Sequence, residues 1–263
     1  MTSKRLSKSE YSLFAAGGIS IFLVFWAILA SSGFVNKLFL PPPLQVAESL
    51  KDLLIHGQLL SDIGSSLFRI ILGFLISAAV AIPMGIALAT SDRTEALIEP
   101  LLGFVRYIPP SAFIPLAILW FGIGENEKIF IIFLGVAPYL ALLVADAVAN
   151  TKKELIEAAL TLGASSTSLI TKVIIPYSMP AVWDAMRLMM GAAWTFVIIA
   201  EIVGATSGLG HLMIESQRFL RTDNIFASIV VVGFLGLLTD YFFKLTYKIF
   251  FPWTQKTTRS FIE

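Results

Sequence analysis

The residues of this chain whose types and spacing could do chemistry are charged side chains inside an apolar run. Asp184 and Arg187 are three positions apart, so on a helix they are neighbours that can form an ion pair. A charge at the centre of a bilayer costs about 2.5–3.5 kcal/mol on the milder insertion scale. A charged face is therefore predicted to point into the protein, either as an interhelical ion pair or as the lining of a pathway. At helical spacing, this face would carry Arg187, Gly191, Trp194, Ile198 and Glu201.

The sequence contains no recognisable catalytic machinery. The chain has no cysteine, which excludes thiolate metal sites and cysteine nucleophiles. No glycine is followed by lysine, so there is no phosphate-binding P-loop and the chain is not predicted to hydrolyse ATP. His56 and His211 fall in predicted outer loops, where neither has a partner at metal-ligand spacing. We therefore predict a protein that is not an enzyme and holds no metal or cofactor of its own.

The composition indicates a membrane protein. The chain is 57% hydrophobic and 14% charged, whereas soluble domains are about 25% charged. Six apolar runs are long enough to cross a bilayer as helices, which takes roughly 20 residues, so we predict an all-α membrane protein with six transmembrane helices. The net charge of +1 gives no indication of nucleic-acid binding. The predicted spans are Ser12–Ser32, Leu67–Thr90, Leu97–Phe121, Ile129–Asn150, Ala181–Ala205 and Ile225–Phe243.

The distribution of Lys and Arg predicts the orientation of these spans. With the N-terminus in the cytoplasm, 11 of the 19 basic residues fall in inner segments, 5 in outer segments and 3 in or near spans. The inner ones include Lys4, Arg5, Lys256 and Arg259 near the two ends of the chain. Because the inner loops of membrane proteins are enriched in Lys and Arg, both termini are predicted to be cytoplasmic.

The third span contains three prolines, Pro109, Pro110 and Pro115. Each proline removes a backbone donor and crowds the preceding turn, so this helix is predicted to be kinked or partly unwound. In lipid the freed carbonyls need protein or water partners. With Arg106 just before the break, the region is a candidate for a translocation pathway, and a purely structural kink is the alternative.

The inner segment between the fourth and fifth spans is much longer than a simple connection needs. Its periodicity predicts a helix over residues 153–162, and Gly163 stands where a helix end requires left-handed backbone. Ser165 or Ser166 is predicted to cap a second helix, which would end before Pro176. A stiff connector would not need this length, so we interpret the segment as an amphipathic element presented to a partner.

Two further patterns concern packing. The outer segment from Phe34 to Ser66 is predicted to carry a short amphipathic helix over Leu44–Leu60, which either covers the bundle or offers a docking surface. In the second span, small residues at intervals of four predict a close contact between helices. They are Ser77, Ala81, Gly85 and Ala89.

The long inner segment resembles the coupling motif of ABC importer permeases, the membrane subunits that dock onto ATPase subunits. The resemblance rests on Glu157-Ala158-Ala159, Gly163, Val173, Ile175 and Pro176 at the spacing of that motif. Other stretches are similar to the nitrate/sulfonate/taurine/bicarbonate branch of these permeases. They are Leu40–Pro43, Pro109–Leu116, Ala200-Glu201, Ser207–Gly210, Trp120–Glu125 and Pro252-Trp253. The resemblance of Trp120–Glu125 and Pro252-Trp253 is closer to the sulfonate and taurine members of that branch.

The resemblance implies the type I ABC importer (MetI-like) permease fold, an all-α membrane bundle of six transmembrane helices with a cytoplasmic coupling helix. Residues 1–263 would form one permease domain, with a core at 65–250 and a coupling loop at 151–176. By the same resemblance the ATPase-coupling residues are Glu157, Ala158, Ala159, Gly163 and Pro176. For an anionic substrate the charges of Arg106 and Arg187 suit a pathway. The candidate pathway residues are Arg106, Pro109, Pro110, Arg187, Trp194 and Glu201.

The implied assembly is a pair of permeases, expected to be a homodimer, with two ABC ATPase subunits that bind ATP and Mg. A periplasmic or lipid-anchored substrate-binding protein would deliver a small anion of the sulfonate/taurine, nitrate or bicarbonate class at the bacterial inner membrane. The alternative function is an ATP-independent secondary transporter or channel for a small solute. The sequence supports the alternative less, because few charges lie at the midplane and no inverted repeat is visible.

Overall fold

The regular elements of the protein are helices, as predicted. A computed structural model describes residues 7–254, and no strand is present in that part of the chain. Lys4, Arg5, Lys256 and Arg259, on which part of the predicted orientation rests, lie outside the described residues. The α-helices are α1 (Lys8–Ser31), α2 (Pro43–Ile55), α3 (Leu59–Thr90), α4 (Asp92–Val105), α5 (Ile114–Phe121), α6 (Glu125–Ala149), α7 (Lys153–Thr161), α8 (Ser166–Leu169), α9 (Ile175–Ile202), α10 (Leu209–Arg218) and α11 (Thr222–Phe250). Short 3₁₀ turns cover Pro110–Phe113 and Pro252–Thr254, and a π-helical turn covers Ile170–Ile174.

Helices α3, α6 and α9 form the centre of the bundle. A Cβ atom added at Gly85 would lie 2.5 Å from the carbonyl oxygen of Ala141, and one added at Gly73 would lie 2.8 Å from Ile132. The backbones of α3 and α6 therefore approach closely, and the small-residue stripe predicted on α3 is confirmed as a packing surface. Because residue numbers rise together along this contact, α3 and α6 run in the same direction.

Since α3 and α6 are parallel, residues 91–124 must return the chain from one end of the bundle to the other. They do so as a broken span, in which α4 and the segment Pro110–Phe121 are bent by 87°. Pro109 is the last residue of the break and Pro110 opens the 3₁₀ turn, where a missing backbone donor is tolerated. The predicted kink is confirmed. Within residues 7–254 there are five single-helix spans and this broken one.

Two spans begin earlier than predicted because polar side chains are buried within them. Helix α3 begins before the predicted start at Leu67, and its added turns bury Ser66. Helix α6 likewise begins before Ile129. Its first turn holds a buried ion pair, in which Lys128 Nζ donates to Glu127 Oε1 over 2.7 Å. These helical turns contain polar residues that are paired inside the protein, so the hydropathy pattern did not include them in the predicted spans.

Helices α1, α2 and α11 lie at the edge of the bundle. Along most of its length α1 exposes large apolar side chains on all sides, as expected of a helix surrounded by lipid. It is tied to the rest by Trp26, whose Nε1 donates to the carbonyl oxygen of Pro41 over 3.1 Å. The surface helix predicted over Leu44–Leu60 is confirmed as the shorter α2. The hydroxyl of Ser49 on α2 donates to the carboxylate of Asp223 on α11 over 2.5 Å.

Candidate functional site

The turn after α7 has the geometry that the sequence predicted. Gly163 has a φ of +79°, in the left-handed region that favours glycine. Its N–H donates to the carbonyl of Leu160 over 2.9 Å, and the N–H of Ala164 donates to the carbonyl of Ala159 over 3.0 Å. This pair of bonds closes the helix as a Schellman motif. The hydroxyl oxygen of Ser165 then accepts a backbone N–H at the start of α8 over 3.3 Å, which confirms the predicted cap.

Helix α7 presents a surface that no other element covers within residues 7–254. It buries none of its own residues, and Leu162 just after it is 88% exposed. The carboxylate of Glu157 forms no hydrogen bond or ion pair in this part of the chain. Exposed apolar side chains grouped together commonly mark an interface. We call this patch the coupling surface. It comprises Leu155, Glu157, Ala158, Leu160 and Leu162.

The second half of the 151–176 loop differs from the prediction. The second helix does not end before Pro176. It continues without interruption through α8 and the π turn into α9. In the π turn the N–H of Ile175 donates to the carbonyl of Ile170, five residues earlier. Pro176 then falls at the start of α9, directly after the π turn, where its ring removes the N–H that an ordinary α-helix would donate to the carbonyl of Lys172. One helical path therefore joins the loop to the fifth span.

Arg187 lies between two carboxylates. Its Nη1 is 3.5 Å from Asp184 on the same helix, and its Nε is 3.1 Å from Asp240 on α11. Asp240 also pairs with Lys244 over 2.7 Å. The bond to Asp184 is the neighbour pair that the spacing predicted, whereas the bond to α11 depends on tertiary packing. The guanidinium remains partly exposed, so the geometry permits both an ion pair and contact with a substrate.

The predicted inward face of α9 is divided between buried and open positions. Trp194 is buried, and its Nε1 donates to Thr239 Oγ1 over 3.2 Å. Gly191 is exposed beside open space. Over residues 181–195 the exposed side of α9 is mostly small or polar, and we call this part the α9 stripe; it consists of Ala181, Asp184, Leu188, Gly191 and Thr195. In contrast, α11 exposes large apolar side chains such as Phe234 and Leu237.

At the opposite end of the bundle from α7, the buried Arg69 is surrounded by acceptors. Its Nη1 donates to Glu201 Oε1 over 2.8 Å and to the carbonyl of Ser207 over 2.7 Å. Its Nε and Nη2 donate to the two oxygens of Glu125 over 2.7 and 2.6 Å. The hydroxyl of Ser66 donates to Glu201 over 2.7 Å. We call these five residues the Arg69 cluster. Glu201 is therefore held by a network rather than open to solvent.

The Arg69 cluster fixes the connection between α9 and α10. The N–H of Gly210 donates to Glu201 over 2.9 Å, and the N–H of Gly208 donates to Asp62 over 2.7 Å. Gly208 has a φ of +111°, and a Cβ atom there would lie 2.4 Å from Glu201. Only glycine fits that position without displacing the carboxylate.

Sequence reasoning selected Glu201 but missed its partner Arg69. A signal was available, because Arg69 is the one charged residue in the predicted span Leu67–Thr90. An isolated charge at that depth requires a carboxylate from another helix. The sequence does not determine which carboxylate, because Glu125 and Glu201 meet Arg69 only through the packing of α3, α6 and α9.

Arg106 lies at the break between α4 and the 3₁₀ turn. Its guanidinium carbon is 4.9 Å from the ring centroid of Tyr107, a cation–π contact, and its carbonyl accepts the hydroxyl of Tyr139 over 2.7 Å. No carboxylate pairs with Arg106 within the described residues, and its Nε is buried without a hydrogen-bond partner there. Its positive charge is therefore not neutralised within residues 7–254. Pro109 beside it is exposed, and Pro110 is half-buried.

Most of the sequence matches a known family. Residues 81–256 match the family model described as binding-protein-dependent transport system inner membrane component. The chain belongs to this family of ABC importer permeases. A probable ABC transporter permease protein of Brucella abortus is 39% identical over 233 residues, which cover 88% of this chain and 91% of the relative. The taurine transport system permease protein TauC of Escherichia coli is 31% identical over 242 residues, covering 90% and 88%.

Solved structures agree on the fold. The methionine ABC transporter MetNI, in an inward-facing conformation, superimposes with a TM-score of 0.68 at 19% identity, over 74% of this chain and 97% of that chain. The predicted family, fold class and absence of enzymatic activity are confirmed for this ABC permease, whose ATPase is a separate subunit. The matched range contains the 151–176 loop and both α6 and α9. The roles of individual coupling and pathway residues stay predictions.

Proposed function

We propose that this ABC permease imports a small anion of the sulfonate/taurine, nitrate or bicarbonate class across the bacterial inner membrane. A periplasmic or lipid-anchored binding protein delivers the anion, and partner subunits bind ATP and Mg. The observation that carries the proposal is the uncovered coupling surface on α7, which a tight Schellman turn connects to the continuous helix that runs from α8 into α9. Similarity to the taurine permease TauC supports the substrate class.

The coupling surface docks an ATPase subunit. Glu157 and Ala158 are exposed on α7, Ala159 lies at its edge, and Gly163 sets the direction in which the chain leaves. A short amphipathic helix can insert into a groove of its partner. The turn at Gly163 is closed by two backbone hydrogen bonds, and α8 continues through the π turn into α9, so movement of the ATPase reaches the membrane span through ordered structure rather than through a flexible linker.

The α9 stripe faces a second copy of the permease and the pathway between the two copies. A helix face with Asp184, Gly191 and Thr195 is unfavourable toward lipid, because a carboxylate and a hydroxyl lose their hydration there. Small residues allow two helices to approach closely in a membrane. The apolar faces of α1 and α11 have the composition expected for lipid contact. A homodimer formed through the α9 stripe covers it and leaves the apolar faces of α1 and α11 in contact with lipid.

Two arginines attract the anion along this pathway. Arg187 is partly exposed beside the α9 stripe, and Arg106 has no carboxylate partner within residues 7–254. Pro109 and Pro110 keep the backbone open next to Arg106. Trp194 and Glu201 act from inside the bundle, where they hold α9 against α11 and α3.

This assembly sets the orientation, with both termini and the coupling surface in the cytoplasm. Lys152, Lys153 and Lys172 are exposed at the α7 end, which agrees with the enrichment of basic residues on the inner side of membranes. The Arg69 cluster then lies at the outer end of the bundle.

The coupling proposal is tested by co-expression with the cognate ATPase, followed by affinity purification and an uptake assay. Glu157→Arg reverses a charge on the coupling surface, and Gly163→Ala strains the left-handed turn while adding a side chain to open space. Each variant is expected to reduce the amount of ATPase recovered and to lower ATP-driven uptake.

Glu48→Arg is the matched control, because it reverses the same charge on an exposed position of α2 at the other end of the bundle. It should leave ATPase recovery unchanged. If Glu157→Arg and Gly163→Ala recover the ATPase and support uptake as well as the unmodified chain does, the coupling surface is not the docking site.

A further inference from the structure

Tyr139 is an exposed residue on α6, the most enclosed of the spanning helices within residues 7–254. Between residues 127 and 145 every other position of α6 is buried or half-buried. The hydroxyl of Tyr139 donates to the backbone carbonyl of Arg106 over 2.7 Å. Arg106 is the first residue of the break in the third span, so this hydrogen bond ties the break to α6. A tyrosine that is exposed on an otherwise covered helix indicates open space beside the break.

The hydrogen bond from α6 holds the break near the middle of the membrane. Helix α6 ends and α9 begins at the 151–176 loop, so these two helices, which pack together, are antiparallel. A Cβ atom added at Gly135 would lie 2.5 Å from the ring of Phe196. One turn further inward, Tyr139 on α6 is therefore about level with Gly191 on α9. Both residues are near the middle of their spans, so Arg106 is fixed at mid-membrane depth.

The break also lies beside the α9 stripe. Phe113, in the 3₁₀ turn just after the break, packs on the same apolar cluster as Ile199 of α9. Thr195, at the outer end of the stripe, is one helical turn before Ile199 on the same face of α9. The break and the stripe therefore adjoin the same space.

The side chain of Arg106 has hydrogen-bond donors that the protein does not use. Its Nη2 donates to the hydroxyl of Tyr107 over 3.2 Å. Its Nη1 forms no hydrogen bond within residues 7–254 and is not a buried atom, so it is open to a ligand. The hydroxyl of Tyr107, an exposed residue, accepts the bond from Arg106 and donates none in the same part of the chain. Two adjacent donors are therefore free.

The charge of Arg106 requires a negative partner that residues 7–254 do not supply. A charge at this depth is costly, and charged residues inside membranes almost always face a cavity or pair with an opposite charge. The ring of Tyr107, with its centroid 4.9 Å away, stabilises the cation but does not neutralise it. Adjacent N–H and O–H donors match the oxygens of an oxyanion.

We propose that Arg106 and Tyr107 form an oxyanion-binding subsite at mid-membrane depth, and that Tyr139 is its positioning residue. Nη1 of Arg106 and the hydroxyl of Tyr107 donate to two oxygens of the anion. Tyr139 does not touch the anion; its bond to the carbonyl of Arg106 keeps the guanidinium directed into the pathway. The subsite rests on the proposed function, because it takes the space beside the α9 stripe as the pathway. Sulfonate, nitrate and bicarbonate share the charge and the oxygens that it binds.

The subsite is tested with a single thiol in the full-length chain in membrane vesicles. The chain has no cysteine, and Pro109→Cys places a thiol at an exposed position three residues from Arg106. The probes are 2-sulfonatoethyl methanethiosulfonate, an anion, and 2-trimethylammonioethyl methanethiosulfonate, a cation. Each reaction rate is divided by the rate of the same reagent with 2-mercaptoethanol, and the ratio of the two quotients is the anion preference.

The anion preference in Pro109→Cys should be at least about fivefold, because a nearby positive charge attracts one reagent and repels the other. Adding Arg106→Gln should abolish the preference, and adding Arg106→Lys should retain most of it. Adding Tyr139→Phe, which keeps the ring and removes the hydroxyl, should lower the preference at least about twofold, because the effect of a charge falls with distance. The matched control is Tyr177→Phe, since Tyr177 is exposed on α9 and its hydroxyl forms no hydrogen bond in the described residues. It should leave the preference unchanged.

A thiol at position 109 that reacts with neither reagent, or that shows no anion preference, would overturn the subsite. A preference that is lost in Arg106→Gln but is the same in Tyr139→Phe and Tyr177→Phe would retain the role of Arg106 and overturn that of Tyr139. Failure of the proposed function is seen separately, in an unmodified complex that imports none of taurine, nitrate and bicarbonate.

Discussion

Arg69 and Glu201 form an ion pair of 2.8 Å between Nη1 and Oε1, with side chains that are 2% and 0% exposed. The pair connects α3 to α9, which are far apart in the sequence. Removing two charges from water costs several kcal/mol per ion, and this is offset only when further hydrogen bonds satisfy both groups. Here Ser66, Ser207 and Gly210 supply those bonds. Glu125, the second carboxylate on Arg69, is 49% exposed and keeps contact with solvent.

The first prediction concerns the loss of one partner of this pair. Arg69→Leu leaves the Glu201 carboxylate buried and unpaired, so the free energy of unfolding should fall by about 3–5 kcal/mol. Arg69→Leu combined with Glu201→Leu removes both buried charges of the pair, and Glu125 can turn to water, so the double variant should be more stable than Arg69→Leu alone. Thermal unfolding in detergent micelles compares the variants. If the double variant is less stable than Arg69→Leu, the stability lost in Arg69→Leu does not come from an unpaired Glu201 carboxylate.

The second prediction concerns the glycine that lets the α9–α10 connection pass the cluster. Gly208→Ala introduces a Cβ atom 2.4 Å from Glu201 at a φ of +111°. The strain and the displaced carboxylate should lower stability by roughly 1–3 kcal/mol. Gly233→Ala on α11 is the control, because nothing lies within 4 Å of its added Cβ. That helical position should tolerate alanine without loss. The same unfolding assay measures both, and equal behaviour of the two variants would refute the close contact.

The third prediction concerns Pro176 and the π turn. Pro176→Ala restores an N–H that can donate four residues back to Lys172, which favours an ordinary α-helical register over the π turn. Stability should change little, by less than about 1 kcal/mol, because the position is exposed. The direction in which α8 and α7 leave α9 should change, so more ATP should be hydrolysed per anion transported. The ratio is measured in reconstituted vesicles, with Pro43→Ala at the start of α2 as the control. An unchanged ratio would mean that the π turn is not part of the coupling path.

Features set by local chemistry could be predicted from the sequence, whereas features set by tertiary packing could not. Gly163 and Ser165 act on their own neighbours, so their turn and cap could be predicted from residue type. The prediction that the second helix ends before Pro176 was wrong. The rule that proline ends a helix does not consider a change from α- to π-helical hydrogen bonding. The start of α3 and the partners of Arg69 were missed because Ser66 and Glu125 are satisfied only by residues on other helices.

The fourth prediction separates a structural role of Arg187 from a role in transport. Its ion pairs are partly exposed, and such pairs contribute about 0.2–1 kcal/mol, so Arg187→Gln should unfold almost as the unmodified chain does. If Arg187 meets the anion, uptake at limiting substrate should fall in Arg187→Gln and be largely retained in Arg187→Lys. Lys244→Gln is the matched control, because Lys244 pairs with the same Asp240 from α11. Equal uptake in Arg187→Gln and Lys244→Gln would leave Arg187 a structural residue only.

The fifth prediction concerns what covers the α9 stripe. Thr195 lies on the stripe, and Leu237 lies on the apolar face of α11. The two residues are at a similar depth in the membrane, because Trp194, next to Thr195, hydrogen-bonds to Thr239, which is two residues after Leu237. The chain has no cysteine, so a single introduced thiol can be followed without background.

A thiol reacts as the thiolate, which forms in water or in a polar interface but not in lipid. Thr195→Cys should therefore either cross-link two copies of the chain under oxidation or react with a charged methanethiosulfonate reagent, because in the proposed assembly the α9 stripe faces the second copy or a wet pathway. Leu237→Cys should do neither, because its surroundings are acyl chains. Both variants are compared in membrane vesicles by gel mobility and mass spectrometry. If Thr195→Cys stays as unreactive as Leu237→Cys, then α9 faces lipid at this depth, and the proposed pairing of permeases through the α9 stripe is wrong.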